Sequence, residues 1–364
     1  MYNNISKAEA KQLLSSDLNT YLDCIKYLNQ NKQSNQITYS KNIFLPLTHI
    51  CQNNCGYCTF KQDADEAEFI LMNKETVMNN LQKAKKHGCT EALFTFGESA
   101  DKNEIVKNTL NNYGYESMVD YVYNLSEEAL EKYEILPHTN MGIIKRKELK
   151  QLSQVNASMG LMLETTNKQL MKTIVHKDSP GKNPAKRLKY IENAGKEKIP
   201  FTTGLLIGIG ETTDDHIDSL FEIRKLHDKY NHIQEIILQN FTPKENIPMA
   251  NYPEPSVIEL LKLTVLSAIM FPDVSIQIPP NLNHDLINFF VLCGANDLGG
   301  ISPITIDYVN PENEWPKIAE LKNSLNNINH TVKERLPVYE KFINKKYLKE
   351  KVYEKTVKLQ RQIN

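Results

Sequence analysis

The 364-residue chain lacks an excess of either charge: 43 Lys and Arg stand against 44 Asp and Glu, a formal net charge of −1. That balance removes any global electrostatic case for binding nucleic acid or an anionic membrane. Long apolar runs are missing too. The stretches around Glu235–Leu238 and Val265–Phe271 fall far short of the ~20 residues needed to cross a bilayer. Met1–Ala10 is polar and has no apolar signal-peptide core, so the expectation is a cytoplasmic protein. Six cysteines are too few for a disulfide scaffold at this length. No low-complexity tract or Pro/Gly/Ser linker divides the chain. What remains, 40% apolar and 24% charged residues, suits a chain that buries a large core.

Short β-like runs alternate with longer helical patterns. The first run, Asn42–His49, leads into a cysteine-bearing loop, and Glu91–Phe96 reads as the second strand. Between them Lys74–His87 reads as a helix: Asn73 is a suitable N-cap, Val77, Leu81 and Ala84 share a face, and Gly88 supplies the stop. Further strands are expected at Glu134–His138, Ala157–Glu164, Pro200–Ile207, Ile233–Gln239, Val274–Gln277 and Asp297–Ser302. Helices are expected near Ser117–Tyr133, Lys147–Val155, Pro184–Glu197, Thr213–Tyr230, Ser256–Met270 and His284–Leu292.

Strands separated by helices pair in parallel through right-handed crossovers. Eight units would close into a (β/α)8 TIM-type barrel; six would leave a partial, open one. The expected organisation is an N-terminal helical extension (1–40), the barrel (41–312) and a C-terminal helical extension (313–364). In the last, Leu336, Tyr339, Phe342 and Ile343 offer an apolar stripe on charged helices.

Parallel barrels gather their functional groups at the carboxyl ends of the strands. The sharpest signal there is Cys51-x3-Cys55-x2-Cys58 after the first strand. Three thiolates on one short loop can each hold one iron of a [4Fe–4S] cube, leaving the fourth iron without a protein ligand. A structural zinc would need four closed ligands, with His49 as the only nearby candidate for the fourth. Other strand ends carry Gly97-Glu98, His138, Glu164, the Gly204/Gly208/Gly210-Glu211 run, Gln239-Asn240, Gln277 with Asn281, and Gly299-Gly300.

With Tyr57 before the last cysteine, the loop resembles the C-x3-C-x-aromatic-C signature of the radical S-adenosylmethionine (SAM) superfamily. The resemblance implies that Cys51, Cys55 and Cys58 hold a cluster whose open iron chelates SAM, reduced by a low-potential electron donor. It implies SAM contacts from Tyr57, Gly97, Glu98, Glu164, Gly204, Gly208 and Glu211.

A narrower likeness covers nearly the whole chain. His232–Phe241, Gln277–Leu282, Gly294–Pro303 and Asp307–Glu312 with Trp315-Pro316 resemble the synthases that form 7,8-didemethyl-8-hydroxy-5-deazariboflavin for coenzyme F420. In that family a partner radical SAM subunit joins a tyrosine-derived 4-hydroxybenzyl group to 5-amino-6-(D-ribitylamino)uracil. The ring-closing subunit then cyclises the adduct with release of ammonia. Asn296-Asp297-Leu298 leans toward the partner subunit, whereas Ser302-Pro303 and Asn310-Pro311 lean toward the cyclising one. A menaquinone-pathway relative is the other alternative within the superfamily. Proton transfers would draw on His138, Glu211, Asp297 or Asp307. Gln239, Asn240, Gln277 and Asn281 would contact the uracil or ribityl group, since amides both donate and accept.

Overall fold

The computed structural model describes residues 5–32 and 34–363. Eight parallel strands close on themselves: β1 (Gln36–Leu45), β2 (Glu91–Thr95), β3 (Leu136–Asn140), β4 (Ser158–Gly160), β5 (Phe201–Ile207), β6 (Ile233–Asn240), β7 (Ser275–Gln277) and β8 (Asp297–Ile301). Neighbours in the sheet follow chain order, and β1 pairs with both β8 and β2. This is the full (β/α)8 barrel, not the six-stranded partial one.

Helices between strands cover the outside, as the periodicity predicts. Lys74–Lys86 starts where Asn73 accepts the Thr76 N–H at 2.8 Å, and it buries Val77, Leu81 and Ala84 against the barrel. A further helix, Glu104–Asn112, is capped by Asn103. Strand β4 is shorter than expected because the chain leaves it after Gly160 and reaches Glu164 in a left-handed conformation, φ +66°. Among the described residues, no helix is long and apolar enough to cross a membrane.

Both ends depart from the helical expectation. Helices Lys7–Ser15 and Leu18–Asn31 do precede the barrel, but β1 begins at Gln36, inside the segment expected to be helical. Met1–Asn4, part of the same expectation, lie outside the described residues. Beyond the barrel, Ile318–Asn326 and Glu350–Ile363 are helical, yet Thr331–Arg335 forms a ninth strand, β9. It pairs in parallel with the first half of β1, from Gln36↔Thr331 to Ser40↔Arg335. Leu336 and Phe342 therefore sit on no helical stripe; they pack with Leu130, Leu136 and Ala157 at the amino-terminal end of the barrel. Pairing with an available strand overrides the weak local preference of Thr-Val-Lys-Glu-Arg.

The ninth strand delivers Arg335 into the barrel floor. Its Nε and Nη2 grip both oxygens of Asp297, at 2.6 and 2.7 Å, and Nη2 also reaches Glu235 Oε1 at 2.8 Å. Asp297 is fully buried, accepts the Gly299 N–H at 2.6 Å, and bonds the Thr38 hydroxyl. Removing one partner of a buried pair strands the other charge. Asp297→Ala is therefore expected to lower unfolding free energy by about 3–5 kcal/mol, read from the urea midpoint. Asp218→Ala, which breaks only the exposed Lys7 pair, should leave that midpoint nearly unmoved. Equal effects would refute a tethering role for Arg335.

Candidate active site

The cysteine loop leaves β1 at the carboxyl end of the barrel and is sewn to the end of β2. Gly97 N–H donates to Thr48 O, and Gln52 N–H donates to Glu98 O, both at 3.0 Å. So close an approach requires glycine, since a Cβ on Gly97 would collide with the Ile50 carbonyl. On its far side the loop is held by Gly56 N–H to Val175 O and Met249 N–H to Gly56 O, each 3.0 Å. Cys51 Sγ accepts N–H groups from Glu98 at 3.2 Å and Asn53 at 3.4 Å. Cys51, Cys55 and Cys58 are free and half-buried, whereas Cys24, Cys89 and Cys293 are fully buried. Burial raises the thiol pKa values of Cys51 and Cys58, so a bound cation must displace their protons.

Beneath the loop lies a buried charge cluster that the cysteine motif does not announce. Glu98 accepts from Gln52 Nε2 at 3.2 Å and Asn53 Nδ2 at 3.1 Å, with Arg187 Nη1 at 3.5 Å. Its carboxylate is wedged between Gly142 and Gly181, where any Cβ would strike it. Arg187 also donates to Met162 O at 2.6 Å and Gly181 O at 2.9 Å, and lies 3.8 Å from Glu164. Lys182 Nζ reaches Glu164 Oε1 at 2.6 Å. Burial opposes ionisation of Glu164, but Lys182 and Arg187 outweigh it and hold its pKa below the usual carboxylate range.

Two cavities meet above this cluster. One, about 250 Å³, lies beside Tyr57 and Cys58 and is lined by Glu164, Lys182, Arg187, Leu206, Asn240 and Phe241. Tyr57 is held by its hydroxyl on His176 Nε2 at 3.1 Å. The other, about 210 Å³, descends the barrel axis past Gln277, Asn281, Asp307 and His138. Thr95, Asn140, Met162 and Gln239 line both, so the cavities adjoin.

The tautomer of His138 follows from its partner. Ser158 Oγ has one hydrogen and donates it to Pro337 O at 2.7 Å, so it accepts from His138 Nδ1–H at 2.7 Å. Nε2 is left with a bare lone pair toward the axial cavity. Burial, with Arg335 nearby, pushes the ring pKa down to about 3, so His138 is neutral at physiological pH. Asp307 binds the Asn281 and Asn310 amides at 2.8 and 2.9 Å and organises the mouth.

Several expected residues do other work. Glu211 closes on its own turn, accepting the Gly208 and Ile209 N–H groups at 2.5 and 2.8 Å, and lines neither cavity. Asp297 lies below the axial cavity, locked to Arg335, so neither carboxylate is placed as an acid or base for a bound substrate. Gly204 packs against the Ile237 carbonyl of β6, and Gly208, φ +99°, packs against Pro255. Glu98 faces the loop rather than either cavity. His49, the only nearby fourth zinc ligand, bonds the Phe60 carbonyl through Nδ1 at 2.8 Å among Phe60, Phe69 and Tyr308.

A family profile described as the radical SAM superfamily matches residues 45–223. The 7,8-didemethyl-8-hydroxy-5-deazariboflavin synthase of Methanocaldococcus jannaschii is 50% identical over 356 residues, 98% of each chain. That of Methanothermobacter thermautotrophicus is 53% identical over 323 residues, 89% of this chain and 98% of its own. This chain belongs to the 7,8-didemethyl-8-hydroxy-5-deazariboflavin synthase family. Among solved structures, the [FeFe]-hydrogenase maturase HydG has a TM-score of 0.74 at 16% identity, over 90% of this chain and 73% of that one. Methylornithine synthase (PylB) gives 0.71 at 17% identity, over 90% and 94%. At such identities they bear on the fold alone.

As a radical SAM enzyme, a synthase of this family works with a [4Fe–4S] cluster and SAM. The donor set fits the cluster. Three free thiols stand on one loop, and backbone N–H groups already point at the sulfur of Cys51. Among the described residues, no group of three or more His, Cys, Asp or Glu converges on a single metal ion, as a closed zinc site requires. Arg187, Lys182 and Asn53 were missed because each looks like an ordinary helix or loop polar residue; only tertiary contact reveals their place.

His138 and His232 are buried with pKa values near 3, from an ordinary 6.5. From pH 6.5 down to 3 the unfolded chain takes up protons that the folded chain refuses, so stability falls as pH drops. Each contributes about 1.4 kcal/mol per pH unit once its unfolded form is protonated. Urea unfolding of the metal-free chain at pH 7 and pH 5 should show that loss, and His232→Gln should flatten the slope. An unchanged slope would contradict the neutral assignment.

Proposed function

We propose that this chain is the ring-closing synthase: it converts 5-amino-5-(4-hydroxybenzyl)-6-(D-ribitylimino)-5,6-dihydrouracil to 7,8-didemethyl-8-hydroxy-5-deazariboflavin and releases ammonia. The observation that carries this reading is the adjacency of two cavities, one beside the cysteine loop and one down the barrel, in a chain about half identical to 7,8-didemethyl-8-hydroxy-5-deazariboflavin synthases along its length. A cofactor and a substrate can thus lie side by side at one end of the barrel.

Cys51, Cys55 and Cys58 hold the cluster. When bound, cluster and SAM together supply hydrogen-atom abstraction from carbon. The chain's own residues do the rest. Glu164, Lys182 and Arg187 give the cofactor cavity fixed charges of both signs, suited to an amino-acid zwitterion. Leu206 and Phe241 give it apolar wall for an adenine. Glu98 acts indirectly, holding Gln52 and Asn53 and thereby the loop.

In the axial cavity the His138 Nε2 lone pair accepts a hydrogen bond. Gln239, Gln277 and Asn281 face the pyrimidine, whose edge both donates and accepts. The block Asp307–Asn310, part of the likeness to the cyclising subunit, forms this cavity's rim, and Lys244 braces it through Val309 O and Asn310 Oδ1 at 2.9 and 2.8 Å. The residues that lean toward the partner subunit have structural duties: Asn296 accepts the Ile276 N–H, and Asp297 holds Arg335. The tyrosine-using radical SAM subunit then supplies the adduct, and a low-potential donor the electron.

Anaerobic incubation of the cluster-loaded chain with SAM, reductant and purified adduct is expected to yield a fluorescent deazaflavin and ammonia. Cys55→Ala should retain the far-ultraviolet circular dichroism of the barrel and lose product by about 10³-fold or more, because the loop and not the core carries the ligand. Tyrosine consumption by this chain alone, without adduct conversion, would refute the assignment.

A further inference from the structure

Barrels of this type fill their axis with layers of bulky side chains. Here the axis is open and its polarity changes with depth. Inward positions recur every second residue, so Glu235, Ile237 and Gln239 mark the deep, middle and mouth levels of β6, about 13 Å from first to last. At the middle level Phe44, Leu93 and Ile237 make an apolar belt. Below the belt the wall is polar again, which a purely structural barrel base does not require. Room for it exists because Gly160 and Gly300 stand where side chains would press on His138 and Asn42.

The deep end holds acceptors with unused capacity. Glu235 takes Arg335 at 2.8 Å and Tyr339 at 2.9 Å on Oε1, but only the Thr202 hydroxyl, at 2.8 Å, on Oε2. Asn42 Oδ1 is buried with no hydrogen-bond partner among the described residues, and His138 Nε2 carries an open lone pair. Unpaired buried acceptors are costly until something donates to them. The ligand is not an anion: Asp297 already answers the single guanidinium of Arg335, and the carboxyl groups of Glu91 and Glu235, whose pKa values burial pushes up, leave no spare positive charge. Neutral hydroxyl groups, several along one short chain, meet the requirement.

We propose that the deep end of the axial cavity is a polyol subsite, in which Asn42, His138, Thr202 and Glu235 receive the ribityl hydroxyls of the substrate. This rests on the ring-closing reading and adds an orientation to it. The substrate enters tail first, the apolar belt grips the start of the chain, and the pyrimidine and hydroxybenzyl group stay at the mouth, beside the cysteine loop. The mouth amides then read the ring, not the ribityl group.

Binding of 5-amino-6-(D-ribitylamino)uracil and of 5-amino-6-(methylamino)uracil to the cluster-loaded, unreduced chain tests this without turnover. The native chain should bind the ribityl compound at least ~10-fold more tightly, because a site built for hydroxyls rejects the analogue that lacks them. Asn42→Ala and Thr202→Val, each checked for native melting, should erase most of that preference and leave methylamino affinity within about twofold. No preference in the native chain, or equal weakening of both compounds in the folded variants, would overturn the subsite. The two readings fail separately: a chain that prefers the ribityl compound yet makes no deazaflavin keeps the subsite and loses the ring-closing assignment. One that makes deazaflavin with no preference does the reverse.

Discussion

A buried guanidinium holds the mouth of this barrel together. Arg187 comes from the helix Pro184–Lys196, fixes its fork on the Met162 and Gly181 carbonyls, and lies between the carboxylates of Glu98 and Glu164. Charges this deep persist only when paired and hydrogen-bonded. Without Arg187 the Glu98 carboxylate would lose its cationic partner and Glu164 would be left with Lys182 alone, and Glu98 is the group that positions Gln52 and Asn53. The cysteine loop therefore inherits its shape from a residue more than a hundred positions further along the chain. Fixing a loop on a rigid scaffold in this way limits the freedom of the three thiols it carries.

A second arginine does the corresponding work at the opposite end. Arg335 enters from β9, beyond the eight-stranded cycle, and satisfies Asp297 and Glu235 together. The two arginines bracket the axial cavity from mouth to floor. Between them the usual bulky filling gives way to glycine and polar side chains, so the barrel core carries a ligand-sized space. The ring of closed parallel strands and the clusters around it bear the stability that such an open axis forgoes.

Much of this was legible in the sequence because local signals and tertiary outcome agreed. Asn73 caps its helix, Gly88 ends it, and Val77, Leu81 and Ala84 are buried as their spacing predicts. The cysteine spacing with Tyr57 carried the superfamily. The failures are equally physical. Thr331–Arg335 carries no strand alternation of its own and becomes one only because the first half of β1 has a free edge. Asp297 and Glu211 looked like acids at strand ends, yet one answers Arg335 and the other answers two backbone amides. Arg187 and Arg335 were invisible because their partners lie far away in the chain, and charged residues in such segments ordinarily face water.

The central claim is that Cys51, Cys55 and Cys58 hold one [4Fe–4S] cluster with an iron open to SAM. Electron paramagnetic resonance of the anaerobically reconstituted, reduced chain, recorded with and without SAM, addresses it directly. The account predicts a reduced-cluster signal from one cluster per chain that changes when SAM is added. A chain that binds zinc instead, or a cluster signal indifferent to SAM, would contradict it.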